Sequence, residues 1–569
     1  MVLFILLRMM SVHHPLLKAI AWLLLLSWKT PVNAQVVPRP ITPVPQFPPE
    51  VEVLPPLEEI FPPTEEVTPR EVPTIPEIPT KIIIRQFVVV GSTVFTPREL
   101  AEVLEKYTNR PIAFAELLEA QTAVTQLYLN RGYLTSGAFI PPQSLQEGVV
   151  VMEVIEGKVE TITITGLKRL NPEYIRSRLA LATAGPLNQN ELLKALQLLQ
   201  LNPLIENLAA ELTPGTDPNL SILKVRIEEA AAFSLELGLD NQRSPSVGSV
   251  RRLLTLNHRN LLGFGDNFRL RYYNTDGSNA IDELSYLFPI NPYDGLVGFR
   301  FSYSDSDLIQ EPLAQLDIDS QSHTYEFVYR QPVFKNTTEE LAIGFNLAVE
   351  NSNLTVPVLP TRSLQSEADI TVFRFFQEYF IRDQRQVFAV FSQLNFAVNS
   401  STVDLNGAET DNQFLLWRGQ VQYLRNLNSF ITFLSKVEMQ FADTAIPSLE
   451  QFALGGVYRG RGYPENAILG DNGVFGSLEL RFSIWTIPEI NFNLQLVSFL
   501  DVGHVWNNAD FSPETNTLSS AGVGIRLTAY ERLNVSFEWG IPFVDFTTIG
   551  DSLQEQGLYF SIQYQILKF

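Results

Sequence analysis

The sequence contains no cysteine, which excludes disulfides, zinc–thiolate and iron–sulfur ligation and a cysteine nucleophile. Histidine is scarce: His13 and His14 lie near the start, and His258, His323 and His504 are far apart in the chain. No H-E-x-x-H, phosphate-cradling G-x-x-x-x-G-K or G-x-S-x-G sequence occurs. The chain therefore does not read as an enzyme, and no catalytic residue, metal site or cofactor is expected. Cations are in deficit: 41 Lys and Arg stand against 62 Asp and Glu, a formal net charge of −21. That balance argues against nucleic acid as a partner, because such affinity comes from clustered Lys and Arg. Also missing is any apolar run approaching the roughly 20 residues of a membrane-spanning helix. Yet 45% of the residues are hydrophobic and 18% charged, with a mean hydropathy of +0.05, which is apolar for a soluble protein this acidic. At 569 residues the chain is long enough for two or three units.

The first 34 residues read as a secretory signal peptide: Arg8 and Lys18, a ten-residue run from Ala19 to Trp28, then Val32-Asn33-Ala34 as a small-residue cleavage site. From Gln35 to Thr80, fourteen of 46 residues are proline and eight are glutamate. Such a stretch favours extended polyproline geometry and is expected to be a disordered linker.

Residues 81–229 carry a β-α-α-β-β pattern twice. The first round reads strand (Lys81 to Val90), helix (Pro97 to Tyr107), helix (Ala115 to Asn130), then strands at Ala138 to Ile140 and Val149 to Ile155. The second reads strand (Val159 to Thr165), helices (Pro172 to Leu181 and Gln189 to Leu199), then strands at Leu208 to Thr213 and Leu220 to Glu228. At an offset of 75, Gly91 and Thr96-Pro97 align with Gly166 and Asn171-Pro172. A polar N-cap followed by Pro at the first helical position starts each helix. The expected modules are 81–157 and 158–229.

Beyond residue 230 helical periodicity gives way to dyad alternation. In Gly476 to Trp485, Leu478, Leu480, Phe482 and Ile484 share one face, and Ser477, Glu479, Arg481 and Ser483 the other. Leu558 to Ile566 alternates the same way. About sixteen segments of 8 to 12 residues can be marked between turn-like stretches. So long an antiparallel region suits a transmembrane β-barrel over 230–569 better than a soluble sandwich, with apolar residues toward outer-membrane lipid and charge inside.

Three groups of residues add a family likeness. In the first module, Gly132-Tyr133, Phe139-Ile-Pro-Pro-Gln143 and the run Gly148 to Gly157 resemble a polypeptide-transport-associated (POTRA) domain. Leu454 to Tyr463, followed by Gly470-Asp471, is similar to a lid loop with an Arg-Gly-Tyr core, here Arg461, Gly462 and Tyr463. Phe499, Asp501 and Gly503 match a Phe-x-Asp-x-Gly strand motif. Together with the signal, the proline-rich tract, two modules and a barrel of about sixteen strands, these residues resemble the outer-membrane transporters of two-partner secretion, of the haemolysin secretion/activation type.

The resemblance implies periplasmic modules and export of a large unfolded client, a β-helical adhesin or haemolysin-like protein. It also implies that the lid loop is locked inside the pore. Strand alternation puts residues 499, 501 and 503 on one face, so Asp501 is a wall anion facing Arg461, and Gly503 leaves room for the loop backbone. Arg459-Gly460 offers a second Arg-Gly step, so which arginine pairs with Asp501 stays open. The terminal Phe569 resembles the aromatic signal read by the barrel-assembly machinery, but it is out of phase with Tyr564 and Ile566; a bulge at Leu567-Lys568 restores the phase. Transporters of this type often begin with a pore-plugging helix, for which 35–80 offers no good segment. A barrel-assembly factor of the same superfamily and a passive porin or receptor remain as rival readings.

Overall fold

The computed structural model describes residues 81–144, 148–311, 313–359, 362–403, 409–411, 413–508, 515–547 and 550–569; the expected signal peptide and proline-rich linker lie outside them.

Helix α1 (Pro97–Leu104) begins where Thr96 and Glu99 form a reciprocal capping box, and α3 (Pro172–Thr183) where the Asn171 side chain accepts from the Glu173 amide. With α2 (Phe114–Asn130) and α4 (Gln189–Gln200) they cover two three-stranded sheets of identical order. In each sheet the first strand (Gln86–Val90; Lys158–Thr165) runs parallel to the last (Val149–Ile155; Leu220–Glu229), and the middle one (Gly137–Phe139; Ile205–Pro214) joins the last antiparallel. Two apolar cores result, around Tyr128 and Met152 in one module and Leu179, Leu196 and Leu223 in the other.

The single strand expected at 81–90 is two: Ile82–Ile84 pairs instead with Arg110–Ile112. The Arg85 amide turns aside to the Gly148 carbonyl at 2.8 Å; the polar Arg85-Gln86 step between two apolar runs lies at the break.

The duplication reaches side-chain detail. After Gly91 the chain turns under Glu156, whose carboxylate accepts from the Thr93 and Val94 amides at 2.7 and 3.0 Å, the Tyr128 hydroxyl at 2.9 Å and the Thr93 hydroxyl. After Gly166 it turns under Glu229, which accepts from the amides of Lys168, Arg169 and Leu170. Burial opposes the Glu156 charge, but those donors, the Thr93 hydroxyl foremost, outweigh it and hold the carboxyl below its ordinary range; burial pushes the Tyr128 hydroxyl up.

The rest of the described chain is a closed antiparallel barrel. Its strands are β1 Phe233–Asp240, β2 Arg251–Arg259, β3 Asn267–Asn274, β4 Ser278–Pro289, β5 Leu296–Asp307, β6 Asp319–Lys335, β7 Glu339–Leu359 and β8 Arg362–Arg382. There follow β9 Gln386–Val403, β10 Glu409–Asp411 resuming as Leu415–Asn426, β11 Ile431–Ala442 and β12 Asn472–Ile487. The last four are β13 Phe492–Trp506, β14 Thr517–Ala529, β15 Leu533–Pro542 and β16 Leu558–Lys568, which closes on β1. Both pieces of β10 pair with β9, so the wall has sixteen strands. Strands β6 to β9 run 17 to 21 residues, well past the expected 8 to 12.

Parity is clear on β13, where Leu496, Leu500 and Val502 are exposed on the outer face while Val497, Phe499, Asp501 and Val505 are buried toward the lumen. At the seam the register shifts between Gln565 and Leu567, so the bulge falls on Ile566, one residue earlier than expected. Phe569 then pairs with Phe233 through two backbone hydrogen bonds and a tilted ring contact with centroids 5.0 Å apart.

The second module rests on the turns at one barrel end. The Asn171 amide donates to the Gly263 carbonyl at 2.7 Å, and Asp294, in the β4–β5 turn, receives Arg178 at 2.7 Å and Lys335 at 2.6 Å. Arg178 in turn stacks on Tyr174, 3.6 Å from its ring centroid.

Candidate functional site: the inward-folded loop and its seat

Between β11 and β12, at the end away from the modules, residues 443–471 fold back into the lumen instead of turning outward. Phe452–Leu454 and Ile468–Gly470 pair as a short hairpin, and Phe452, Leu454, Tyr463 and Ile468 pack with Phe475, Val505 and Leu518 of the wall into an apolar cluster. The hairpin end closes through an isolated bridge between Gly455 and Arg459. Gly455 and Gly462 have φ of +108° and +104°, conformations that a side chain resists.

The chain then delivers Arg461 to the wall. Its Nε donates to Asp501 Oδ2 and its Nη2 to Asp501 Oδ1, both at 2.9 Å, and its own amide donates to Oδ2 at 3.1 Å. Nη1 reaches Glu479 at 2.7 Å and Glu538 at 3.1 Å, Nη2 reaches the Ser477 hydroxyl at 3.1 Å, and the guanidinium lies 3.6 Å from the Phe499 ring centroid. Arg461 is 4% exposed and Asp501 1%, so the bidentate pair is screened from water.

Two further cations complete a ring of alternating charge. Arg481 pairs with Glu479 at 2.6 Å, and Arg526 with Glu538 at 2.7 Å. Tyr463 donates its hydroxyl to the Ser519 carbonyl at 2.7 Å, and the Tyr559 hydroxyl bridges the Gly462 amide and the Tyr463 carbonyl at 3.0 and 2.6 Å.

The choice between the two arginines is resolved by the geometry: Arg461 takes Asp501, whereas Arg459 donates to Glu438 of β11 at 2.6 Å. Gly503 serves differently from expectation. A Cβ there would meet the Leu454 side chain at 2.6 Å, not loop backbone; the backbone's closest approach is at Gly540 on β15, where a Cβ would lie 2.5 Å from the Gly462 nitrogen. Alternation puts Glu479 on the polar face of its strand, but nothing in the sequence joins it or Glu538 to Arg461. No spacing within one strand encodes a contact made across three.

Residues 443–471 thus occupy the lumen, joined to the wall at both ends, with the tip arginine among three carboxylates.

The sequence model for the haemolysin secretion/activation protein ShlB/FhaC/HecB matches residues 219–527, and that for the ShlB-type POTRA domain matches 82–157. The chain is similar to the outer membrane transporter CdiB of Dickeya dadantii (strain 3937), 24% identical over 471 residues that cover 79% of this chain and 81% of the relative. It is also similar to the heme/hemopexin transporter protein HuxB of Haemophilus influenzae, 23% identical with 76% and 78% covered. Among solved structures, CdiB from Escherichia coli shares the fold with a TM-score of 0.63 at 21% identity, over 88% of this chain and 93% of that one.

Proposed function

The chain belongs to the haemolysin secretion/activation protein ShlB/FhaC/HecB family of outer-membrane transporters, and from that membership we propose that it exports a large unfolded partner polypeptide to the cell surface by two-partner, type V secretion. The barrel lies in the outer membrane with both modules in the periplasm. The client adds a strand to an open sheet edge of a module, for which Gln86–Val90 and Ile205–Pro214 are candidates, taking affinity from main-chain hydrogen bonds. It then threads the lumen as the lid loop is displaced. No nucleotide is used; folding outside pulls the chain through. The client class that fits is a large β-helical adhesin or haemolysin-like protein.

One observation carries this reading. A loop fills the pore, and its tip arginine sits in a ring of three carboxylates on separate strands, a seat that holds without covalent linkage and releases when a competitor arrives. Deleting the gene and comparing extracellular proteomes tests it: loss of one large protein is expected, whereas general loss of outer-membrane barrels would assign the protein to barrel assembly instead.

A further inference from the structure

The lid loop is held at a second place by charges of the opposite arrangement. Eleven residues before Arg461, at the base of the hairpin, Glu450 is 1% exposed. Its Oε1 accepts from Arg374 of β8 and its Oε2 from Arg418 of β10, both at 2.6 Å, and its carbonyl accepts from Arg418 and from Gln440 of β11 at 2.8 Å. Arg374, itself 3% exposed, is steadied from behind by Glu326 at 3.0 Å and by Glu350. Ile446 and Leu449, beside Glu450, pack against Ile370, Val372, Phe414 and Leu416 of the same wall.

At the tip, then, a loop cation enters a nest of wall anions on β12, β13 and β15. At the base, a loop anion enters a pair of wall cations on β8 and β10. We propose that Glu450 is a second tether of the lid loop, charge-inverted and independent of Arg461, so that the loop leaves the pore in two stages. The proposal rests on the lid reading above and adds to it a positioning residue and an order of events. Breaking the Arg461 contacts frees the hairpin tip to swing, while the Glu450 contacts keep the base in the lumen. Full clearance requires the base to part from Arg374 and Arg418 as well. The inverted polarity also fixes orientation, because a hairpin inserted end for end would bring Arg461 against Arg374 and Arg418 and Glu450 against Asp501 and Glu479.

The chain contains no cysteine, so introduced cysteines carry spin labels at chosen places in the full-length protein in lipid. One label at Ser448 reports the base and one at Tyr458 the tip, each measured against a label at Gln384 in the β8–β9 turn. In Arg461→Ala the tip distance is expected to broaden while the base distance stays. In Glu450→Gln the base distance shifts, with the displaced population rising roughly a hundredfold, as removal of one partner from a buried pair implies. Glu450→Asp, which keeps the charge, restores the wild-type base distance in most molecules.

A base label that does not move in Glu450→Gln, or that already moves fully in Arg461→Ala, overturns the second tether. A tip label that stays in place in Arg461→Ala overturns the lid reading instead, and the base measurement still decides on Glu450. Heat-modifiable electrophoretic migration reports whether each barrel has assembled. If Glu450→Gln does not assemble, Arg418→Gln removes one arm of the same tether from the wall side and is held to the same outcome.

Discussion

Glu156 in the first module and Arg461 in the barrel are both nearly sealed from solvent, at 7% and 4% exposure, but they are held by different kinds of partner. Glu156 is surrounded by two backbone amides and two hydroxyls of its own module, all neutral. Arg461 is surrounded by carboxylates, two of which already have other arginines, Arg481 and Arg526, in reach. Removing it still uncovers charge, yet the wall retains partners with which to rearrange. The first arrangement fixes a turn; the second is the one that lets go under the export mechanism proposed above. Burial, similar at the two places, does not distinguish them; the kind of partner does.

The largest expected effect tests the releasable side. Arg461→Ala or Asp501→Ala should cut client export at least tenfold with the barrel still inserted, since losing one member of a buried pair costs roughly 3–5 kcal/mol and leaves the loop without the one seat from which a client is to displace it. Secretion normalised to the heat-modifiable barrel in membrane fractions measures it. Loss of the barrel itself would make Arg461 a structural charge like Glu156 and collapse the distinction.

On the other side, Glu156→Ala should lower the opening free energy of the first module by roughly 2–3 kcal/mol, through lost charge-assisted hydrogen bonds, and leave barrel assembly alone. Hydrogen exchange of the Val149–Ile155 amides in the full chain reads this. Gly91→Ala should cost about 1–3 kcal/mol in the same assay, because φ is +87° and a Cβ would lie 2.4 Å from the Val154 carbonyl oxygen.

Acid sharpens the contrast further. The Glu156 carboxyl is held below its unfolded value, so its contribution is present above the unfolded pKa of about 4.3 and is lost as pH falls through the lower folded one. Wild-type module protection should therefore decline below about pH 4.3, and the decline should be shallower in Glu156→Gln, where Glu99 and Glu116, also held low by their cap contacts, still contribute. The smallest effect belongs to a surface pair. Arg98→Ala, which breaks the exposed contact with Glu102, should change module stability by less than about 0.5 kcal/mol.

Period and punctuation made much of the fold legible. The Thr96-Pro97 and Asn171-Pro172 caps place helix starts to the residue, and alternation along β13 assigns Phe499, Asp501 and Gly503 to the lumen. What stayed hidden has physical reasons. Residues 350–353 of β7, Glu-Asn-Ser-Asn, interrupt the apolar alternation yet pair with both neighbouring strands through backbone groups, so the sequence marks the strand as shorter than it is. The carboxylates around Arg461 come from strands separated by loops of unrelated sequence, and the Glu450 clamp joins residues 76 positions apart. The motif named the Arg–Asp pair; only closure of the barrel brings its other neighbours together.

The uneven strand lengths give the pore an oblique rim. A 21-residue strand such as β7 or β8 is about 70 Å long and, tilted by about 40°, climbs roughly 50 Å, twice the roughly 25 Å apolar band of such a wall. The 8-residue β1 and β3 climb about 20 Å and barely cross it. One flank therefore stands well above the lipid headgroups while the flank beside the closing seam ends near their level. In the export proposed above, a chain leaving the lumen meets a hydrogen-bonded parapet on one side and, on the other, only loops, where Gln554 holds the Asn241 and Arg243 carbonyls, so the mouth is shaped as a spout rather than a ring.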